Sequence, residues 1–432
     1  MTSRKINIIS HRFAWLMRST VSVRPFLVIP IIAGAFAASQ PLYAQGLSSD
    51  VNIGRMANQA GLKKDDWLFL PSVVTGIKYD SNLFKLNSGK IDDLIIFSAP
   101  KGVAIKKFRN GNLTFEVESL LTRYLYNDEF SAQDLTGSMS GVFQITPRSS
   151  LSFSSSIGRT NELPSSVNQD DPDPVTEEVA EPIANLEFDV SAQLSTTFKR
   201  FTSSIKVGYT NIDYEDIGSG LNAIDQDVRN NEKYSLNKEI SYVVSRYITV
   251  VTSGFVETTY NPNNPFRDVT TYGGNTELQL NLTSKFSAAF NFGLTKDDFH
   301  SAQDSDLQPS YEASFSWKPT RRLTVSINAE QDETSTNFQE SAGSIKKGGV
   351  GGEVAYTINK NLAVKASTSY RKSDISQDNR VVEEQDFELS AQYALNRNMG
   401  FVFVYTHDNR EASDSVGDFE RDTVQGSFVA KF

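Results

Sequence analysis

Residues able to do chemistry are scarce in this chain. Its 432 residues hold three histidines and no cysteine. A serine hydrolase needs a histidine in hydrogen-bond reach of its nucleophile and an acid to orient the ring. His11 lies in a basic leader and His300 in a polar break, so only His407 has an acid beside it, Asp408. A lone histidine at a strand end is ordinarily a polar rim residue, and the pair makes no catalytic site. The missing thiols exclude a thiol nucleophile, a disulfide framework and a Cys-ligated metal. The stretch 161–182 carries seven acids (Glu162, Asp170, Asp171, Asp173, Glu177, Glu178, Glu181) and no base. Carboxylates suit Ca²⁺, yet its DDPDP centre lacks the EF-hand spacing and glycine, so it reads as a solvated loop. No glycine-rich loop precedes a helix, so no phosphate cradle is expected. The reading is of a protein that is not an enzyme and needs no cofactor.

What remains is charge laid out at regular intervals. Acids stand on the polar face of alternating segments at Glu116, Glu118, Glu187, Asp189, Glu239, Glu257, Glu277, Glu312, Glu330, Glu353 and Glu388. Bases on the same face are fewer: Lys206, Lys318, Lys365 and Arg371. If these segments wall a pore, such a ring of charge sets its selectivity.

The elements that would hold these residues are strands. From about Trp67 to Phe432 apolar and polar residues alternate with period two, as in Leu186, Phe188, Val190, Ala192 and Leu194 against Glu187, Asp189, Ser191, Gln193 and Ser195. Successive side chains of a strand point to opposite faces, so each run offers one apolar and one polar face. Length alone would allow about three domains, but one repeating hairpin accounts for all of 67–432.

The breaks between runs sort into two kinds. Eight short ones, at Lys106–Gly111, Thr146–Ser150, Phe198–Phe201, Ser245–Tyr247, Thr283–Phe286, Lys318–Arg322, Asn359–Asn361 and Asn396–Asn398, hold 13 Lys or Arg and no acid. Nine longer ones lie near 82–93, 127–134, 161–182, 215–230, 261–268, 297–308, 332–347, 374–386 and 408–422, and are strongly acidic. Nine up-down hairpins predict 18 strands. A soluble sandwich has no reason to sort its breaks this way. A transmembrane β-barrel has short turns on one side and long loops on the other, with its apolar face on lipid.

Residues 1–44 hold five bases (Arg4, Lys5, Arg12, Arg18, Arg24), no acid, and the apolar run FLVIPIIAGAFAA before SQPLYA. A basic segment, a 7–15-residue apolar core and a small residue before the cut make a secretory signal. The run is too short for a membrane helix. Cleavage is expected after Ala44, and 17–44 alone would also serve, which leaves Met17 as an alternative start. Without 1–44 the chain keeps 37 bases against 52 acids, a net charge of −15. That balance excludes a nucleic-acid partner, whose phosphates demand clustered bases. Residues 45–66 carry no strand pattern and read as a periplasmic leader. The expected site is therefore the outer membrane of a Gram-negative cell, with lipid and the barrel assembly machinery as partners. Aromatics near strand ends (Trp67, Tyr124, Phe143, Phe201, Tyr247, Trp317, Tyr405) suit interfacial girdles.

The chain ends VQGSFVAKF, placing Val424, Gly426, Phe428, Ala430 and Phe432 on one face. This resembles the C-terminal sorting signal of bacterial outer-membrane proteins, carried by Phe428 and Phe432. The first strand runs into Tyr79-Asp80-Ser81-Asn82-Leu83-Phe84, and Ser98-Ala99-Pro100-Lys101-Gly102 follows in the second. Both are similar to the opening of the putative β-barrel porin type 2 family of proteobacterial outer-membrane proteins, often associated with exopolysaccharide loci. The resemblance implies an outer-membrane barrel taking part in exopolysaccharide export or surface assembly, with periplasmic export partners. It implies no catalytic residues. The alternative from the residues themselves is a general diffusion porin or a structural surface barrel with cation preference. The acidic wall disfavours a strongly anionic polymer.

The terminal strand generates the first prediction. Unboiled protein should migrate differently from boiled protein on a denaturing gel, and deletion of Phe432 should reduce the folded fraction. Identical mobility, with a spectrum rich in helix, would refute the barrel.

Overall fold

The structure is a computed structural model that describes residues 61–163, 182–217, 225–299, 306–338, 341–376, 379–414 and 417–432. Residues 1–44, expected to be a signal, most of 45–66, expected to be a leader, His300 and all but the ends of the acidic stretch 161–182 lie outside the described residues.

The chain opens with β1 (Leu62–Lys64), β2 (Trp67–Asp80), β3 (Asp93–Phe108), β4 (Gly111–Tyr124), β5 (Ala132–Thr146) and β6 (Ser149–Glu162). It continues through β7 (Ile183–Phe198), β8 (Phe201–Tyr214), β9 (Asn231–Val243), β10 (Ile248–Tyr260), β11 (Val269–Thr283) and β12 (Phe286–Phe299). Then come β13 (Gln308–Trp317), β14 (Leu323–Phe338), β15 (Ser341–Asn359), β16 (Leu362–Ile375), β17 (Arg380–Ala394), β18 (Met399–Ala412) and β19 (Phe419–Lys431). Each strand pairs antiparallel with the next, and β19 returns to pair with β2. β2 to β19 therefore close an 18-stranded up-and-down barrel. β1 forms inside the leader, where three residues carry too little alternation to be read, and pairs with Trp67–Phe69 at the foot of β2.

Alternation assigns the two faces. On β7, Leu186, Phe188, Val190 and Leu194 are exposed, while Glu187, Asp189, Ser191, Gln193 and Ser195 on the opposite face are half-buried. Ile77, Val117 and Ile157 are 54%, 55% and 52% exposed, the inverse of a soluble core. A belt of exposed apolar side chains is stable against hydrocarbon, and the closed ladder leaves no backbone group unpaired there. The polar face is then the lumen.

At the short-turn end, bases sit on aromatic rings. Lys106 lies over Trp67 at 5.3 Å, Arg148 over Phe198 at 5.2 Å and Arg246 over Tyr247 at 4.4 Å. Each such pair stabilises by roughly 0.5–1 kcal/mol when exposed, and together they tie the basic turns to the girdle. Tyr124 is a correction to that girdle: it faces inward, is buried, and packs edge-on against Phe130 at 6.5 Å. An aromatic at a strand end looks the same on either face until parity is counted from Val117 and Leu121.

The long breaks differ from the reading in extent. Strand ladders run on to Phe338, Ile375 and Ala412 and resume at Ser341, Arg380 and Phe419, through stretches assigned to loops at 332–347, 374–386 and 408–422. Charged and small polar residues do not interrupt a hairpin that has left the membrane, because both of its faces are then in water.

The seam between first and last strands is the only long-range closure of the ring. Asp80 is wholly buried, and the Arg421 guanidinium holds it with both arms, Nε donating to Oδ1 at 2.9 Å and the second nitrogen donating to Oδ2. Ser81 donates its N–H to the Asp422 carbonyl at 3.0 Å, and Asp422 returns its own N–H to Ser81 Oγ at 2.8 Å. Asn82 Nδ2 donates to the Glu420 carbonyl at 3.0 Å. At the other end Phe432 donates its N–H to the Pro71 carbonyl at 2.9 Å. The Tyr79–Phe84 stretch is thus the clasp of the barrel.

Breaking a buried, paired charge on one side costs about 3–5 kcal/mol, whereas replacing both partners by apolar groups is near neutral. Asp80→Ala should accordingly lower the urea midpoint of the heat-modifiable band, and Asp80→Leu with Arg421→Met should recover most of the loss. Equal midpoints for Asp80→Ala and the parent would remove the clasp from the closure.

Candidate functional site

The candidate site is the lumenal wall. Counting parity from the exposed apolar belt puts Glu116, Glu118, Glu187, Asp189, Lys206, Glu239, Glu257, Glu277, Glu312, Glu330, Glu353, Lys365, Arg371 and Glu388 on the inner face of their strands. Lys318 is the exception. It lies past the end of β13 in an exposed turn, where its N–H donates to the Lys285 carbonyl at 2.7 Å, so it belongs to the rim rather than the wall.

The register brings some of these acids side by side. Glu277 on β11 stands opposite Asn291, Asn291 opposite Glu312, and Glu312 opposite Glu330 on β14. Glu239 lies in the same region, opposite Ser253 on β10. Among the described residues none of these four carboxylates has a lysine or arginine within ion-pair distance. Glu187 and Asp189 on β7 likewise form no ion pair among the described residues, while the other wall acids are compensated. Lys101 sits 2.5 Å from Glu116 and 3.2 Å from Glu118, Lys233 3.0 Å from Glu257, and Lys365 3.0 Å from Glu388 and 3.7 Å from Glu353. Hydroxyls fill the gaps, as where Ser154 meets Ser191 at 2.8 Å and Thr210 donates to Asp189 at 2.5 Å.

Lumenal bases outnumber the four in the sequence reading. Lys78, Lys101, Lys233, Arg410 and Arg421 also face inward. Lys101 lies within the Ser98–Gly102 step, Lys233 stands two residues inside the start of β9, and Arg410 and Arg421 fall in 408–422, where the sequence predicts a loop. Parity counted from the nearest exposed apolar residue would have found each of them. The acid excess is therefore concentrated on β9 to β14, while the bases gather on β16 to β4 across the seam.

The long-loop mouth over the seam is crowded with charge. Arg371 bonds Glu384 at 3.0 Å, Arg410 approaches the same carboxylate at 3.8 Å, and Arg421 holds Asp80 beside Lys78. Lys85, in the loop after β2, folds down onto the inward-facing Phe419 ring at 5.2 Å. Burial pushes its amine down to about 8, and the positive charge of Arg421 adds to the effect.

One sector of the wall departs from the polar lining expected from Ser, Thr, Asn and Gln. Val74, Phe97, Ala99, Ala394 and Val429 face inward and are buried together, flanked by Leu120, Ala363 and Val402. Val429, Val74 and Ala99 are direct cross-strand neighbours, and Phe97 lies over Gly76, where any Cβ would meet the ring at 2.8 Å.

Two other clusters have ordinary structural partners. His407 faces outward, and its Nδ1 lies 3.0 Å from Asp422, which also accepts from the Tyr405 hydroxyl at 2.8 Å; Asp408, its sequence neighbour, faces the lumen. Asp216, Asp225 and Asp227 converge within 4.8 Å on an exposed loop, where Asp216 and Asp225 already accept backbone N–H groups.

Residues 57–432, the closed barrel of nine hairpins with the segment that leads into it, match the family described as Putative beta-barrel porin 2. The chain belongs to that family. Among solved structures it is similar to Acinetobacter baumannii OccAB2, at 12% identity over 85% of this chain and 98% of that one, with a TM-score of 0.51. A. baumannii OccAB4 (11% identity, 86% and 99% covered, TM-score 0.49) and Pseudomonas aeruginosa OprD (10%, 88% and 98%, TM-score 0.46) are also similar. The OccAB2 likeness is one of fold. No curated protein matches the chain.

Within this porin-like barrel the Lys85 amine is a pH-dependent charge at the mouth. It is charged below about pH 8 and neutral above, so cation preference should step up as pH rises through that value. Lys85→Met should show the higher preference throughout and lose the step. Reversal potentials across a bilayer, recorded on both sides of about pH 8, read this directly; a step retained in Lys85→Met would assign the titration to another group.

Proposed function

We propose that this barrel lies in the outer membrane of a Gram-negative cell and conducts small solutes through a lumen that favours cations. The observation that carries the reading is the row of unpaired carboxylates, Glu277, Glu312 and Glu330, reinforced by Glu239. Fixed charge of one sign on a lumenal wall raises the local concentration of counter-ions and repels co-ions. The far wall carries bases, but most are held by acids at hydrogen-bond distance, so their fields are largely cancelled at a few ångströms. The unpaired row, with Glu187 and Asp189 on β7, is the charge of the wall that no base offsets.

A second reading has its own support. The Tyr79–Phe84 resemblance is to a family often associated with exopolysaccharide loci, and the lumen holds hydroxyls and amides that can exchange hydrogen bonds with a sliding sugar chain. Export or surface assembly of a neutral or weakly charged polysaccharide, together with periplasmic partners, is compatible with the same wall. A deletion strain separates the two: loss of surface polysaccharide with normal solute uptake supports export, and the reverse supports diffusion.

In a bilayer with a KCl gradient the reversal potential should show cation selectivity. The triple variant Glu277→Gln, Glu312→Gln, Glu330→Gln should lower the permeability ratio by roughly threefold, since a part-exposed charge interaction is worth about 0.2–1 kcal/mol. Selectivity should also fall at 1 M salt, where screening acts over about 3 Å. Anion preference in the parent would refute the reading.

A further inference from the structure

The outer face of β9 carries a charge inside the apolar belt. Leu236 and Ile240 are exposed on that face, and Lys238 stands exposed between them. It lies four residues from Tyr242, whose ring stacks on Phe201 at 4.5 Å in the short-turn girdle. Four residues of a strand tilted by about 40° rise roughly 10 Å, well into an apolar band about 25 Å tall. Lys106 and Arg123, also on the outer face, stand within two residues of their strand ends. A lipid-facing cation is costlier the deeper it sits.

The ammonium group has a direction. Its Nζ donates to Ser203 Oγ at 2.5 Å. Ser203 is paired with Ile240, two residues nearer the short turns than Lys238. The side chain therefore bends towards the girdle and the headgroups beyond it, as long cationic side chains do at a membrane edge. Among the described residues no carboxylate lies within ion-pair distance of it. Ser203 engages one donor of the group, and hydrocarbon offers acceptors to none of the others. Beside Lys238 the wall is hollow. Gly254 is its neighbour on β10 and is paired with Gly274 on β11. A Cβ at Gly254 would meet only the Gly273 carbonyl, at 3.8 Å.

Charge decides what fits there. A second copy of this chain does not supply the acceptor, because among the described residues strands β2 to β19 carry no acid on the outer face of their short-turn halves. Phosphate does supply it. Phospholipid headgroups lie at that level, and the short turns beneath, with 13 Lys or Arg and no acid, draw anionic headgroups to the same rim. We propose that Lys238 and Ser203 bind the phosphate of a phospholipid in the leaflet on the short-turn side, with an acyl chain against the hollow at Gly254 and Gly274. The site is on the outer wall, apart from the lumen. It rests on the membrane location proposed above and not on conduction.

Native mass spectrometry of the folded mature barrel, titrated with phosphatidylglycerol in detergent, counts bound lipids directly. The parent should hold one lipid more tightly than the rest. Lys238→Met should bind that lipid roughly tenfold more weakly, the order of one charge-assisted hydrogen bond, and Lys238→Arg should keep the affinity. Lys372→Met, which removes an exposed cation from the outer face near the long-loop end of β16, should match the parent. Diacylglycerol with the same chains lacks the phosphate and should bind parent and Lys238→Met alike. Equal phosphatidylglycerol binding by parent and Lys238→Met would overturn the proposal and leave the hollow to a protein partner. Parent protein that gives no heat-modifiable band in liposomes would instead overturn the membrane location, so the two failures are distinct.

Discussion

A sheet that spans lipid cannot have an edge, and in this molecule one junction satisfies that requirement. Every other strand pair is a hairpin whose partners are near in sequence. The β2–β19 junction joins residues such as Asp80 and Arg421 that are 341 positions apart. Closing a flexible loop of that length costs about 2–3 kcal/mol more than closing one of about 20 residues. The ladder at the junction is also short, covering Ser72–Asp80 against Thr423–Lys431, where β6 and β7 pair along Ser149–Glu162. Side chains supply what the ladder lacks: the Asp80–Arg421 pair and the Ser81 and Asn82 bonds at one end, Val74 against Val429 lower down, and Phe432 on Pro71 at the other end.

Features that repeat locally were legible in the sequence, and features that depend on the ring were not. Period-two alternation and two kinds of break follow from each hairpin by itself, so 18 strands and their faces could be counted from Leu186–Ser195 and its counterparts. Loop extents failed at 332–347, 374–386 and 408–422, because the end of a ladder in water is set by hairpin geometry and not by apolar content. Lys101 and Lys233 escaped notice as wall residues because their carboxylate partners lie on neighbouring strands, a relation that appears only with the register. The apolar sector was hidden for a related reason. Val74, Ala99 and Val429 each read as one apolar residue on a strand that already has an apolar face, and only the closure of β19 onto β2 makes them one surface.

The same division separates the charge that stabilises the barrel from the charge left unpaired on its lumenal wall. Around the seam, acids and bases are held in pairs and buried, and unpaired charge there would destabilise the junction the barrel most needs. On β9 to β14 each strand is fixed by neighbours a hairpin away. That wall carries Glu239, Glu277, Glu312 and Glu330 without an ion-pair partner among the described residues. Selectivity can therefore reside where the fold is locally secure.

The residues that carry the family resemblance belong to the first of these roles. Asp80, Ser81 and Asn82 face the last strand and bond to Arg421, Asp422 and Glu420, and none of the three stands among the unpaired acids of the wall. A pattern that closes a barrel will recur wherever barrels of this size close in this way, whatever passes through them, since one fold hosts many functions. The stretch Tyr79–Phe84 is accordingly evidence about architecture. Under the proposed conduction, selectivity has to be sought on the strands farthest from that motif, where Glu277, Glu312 and Glu330 line the inner face with no role in holding the barrel shut.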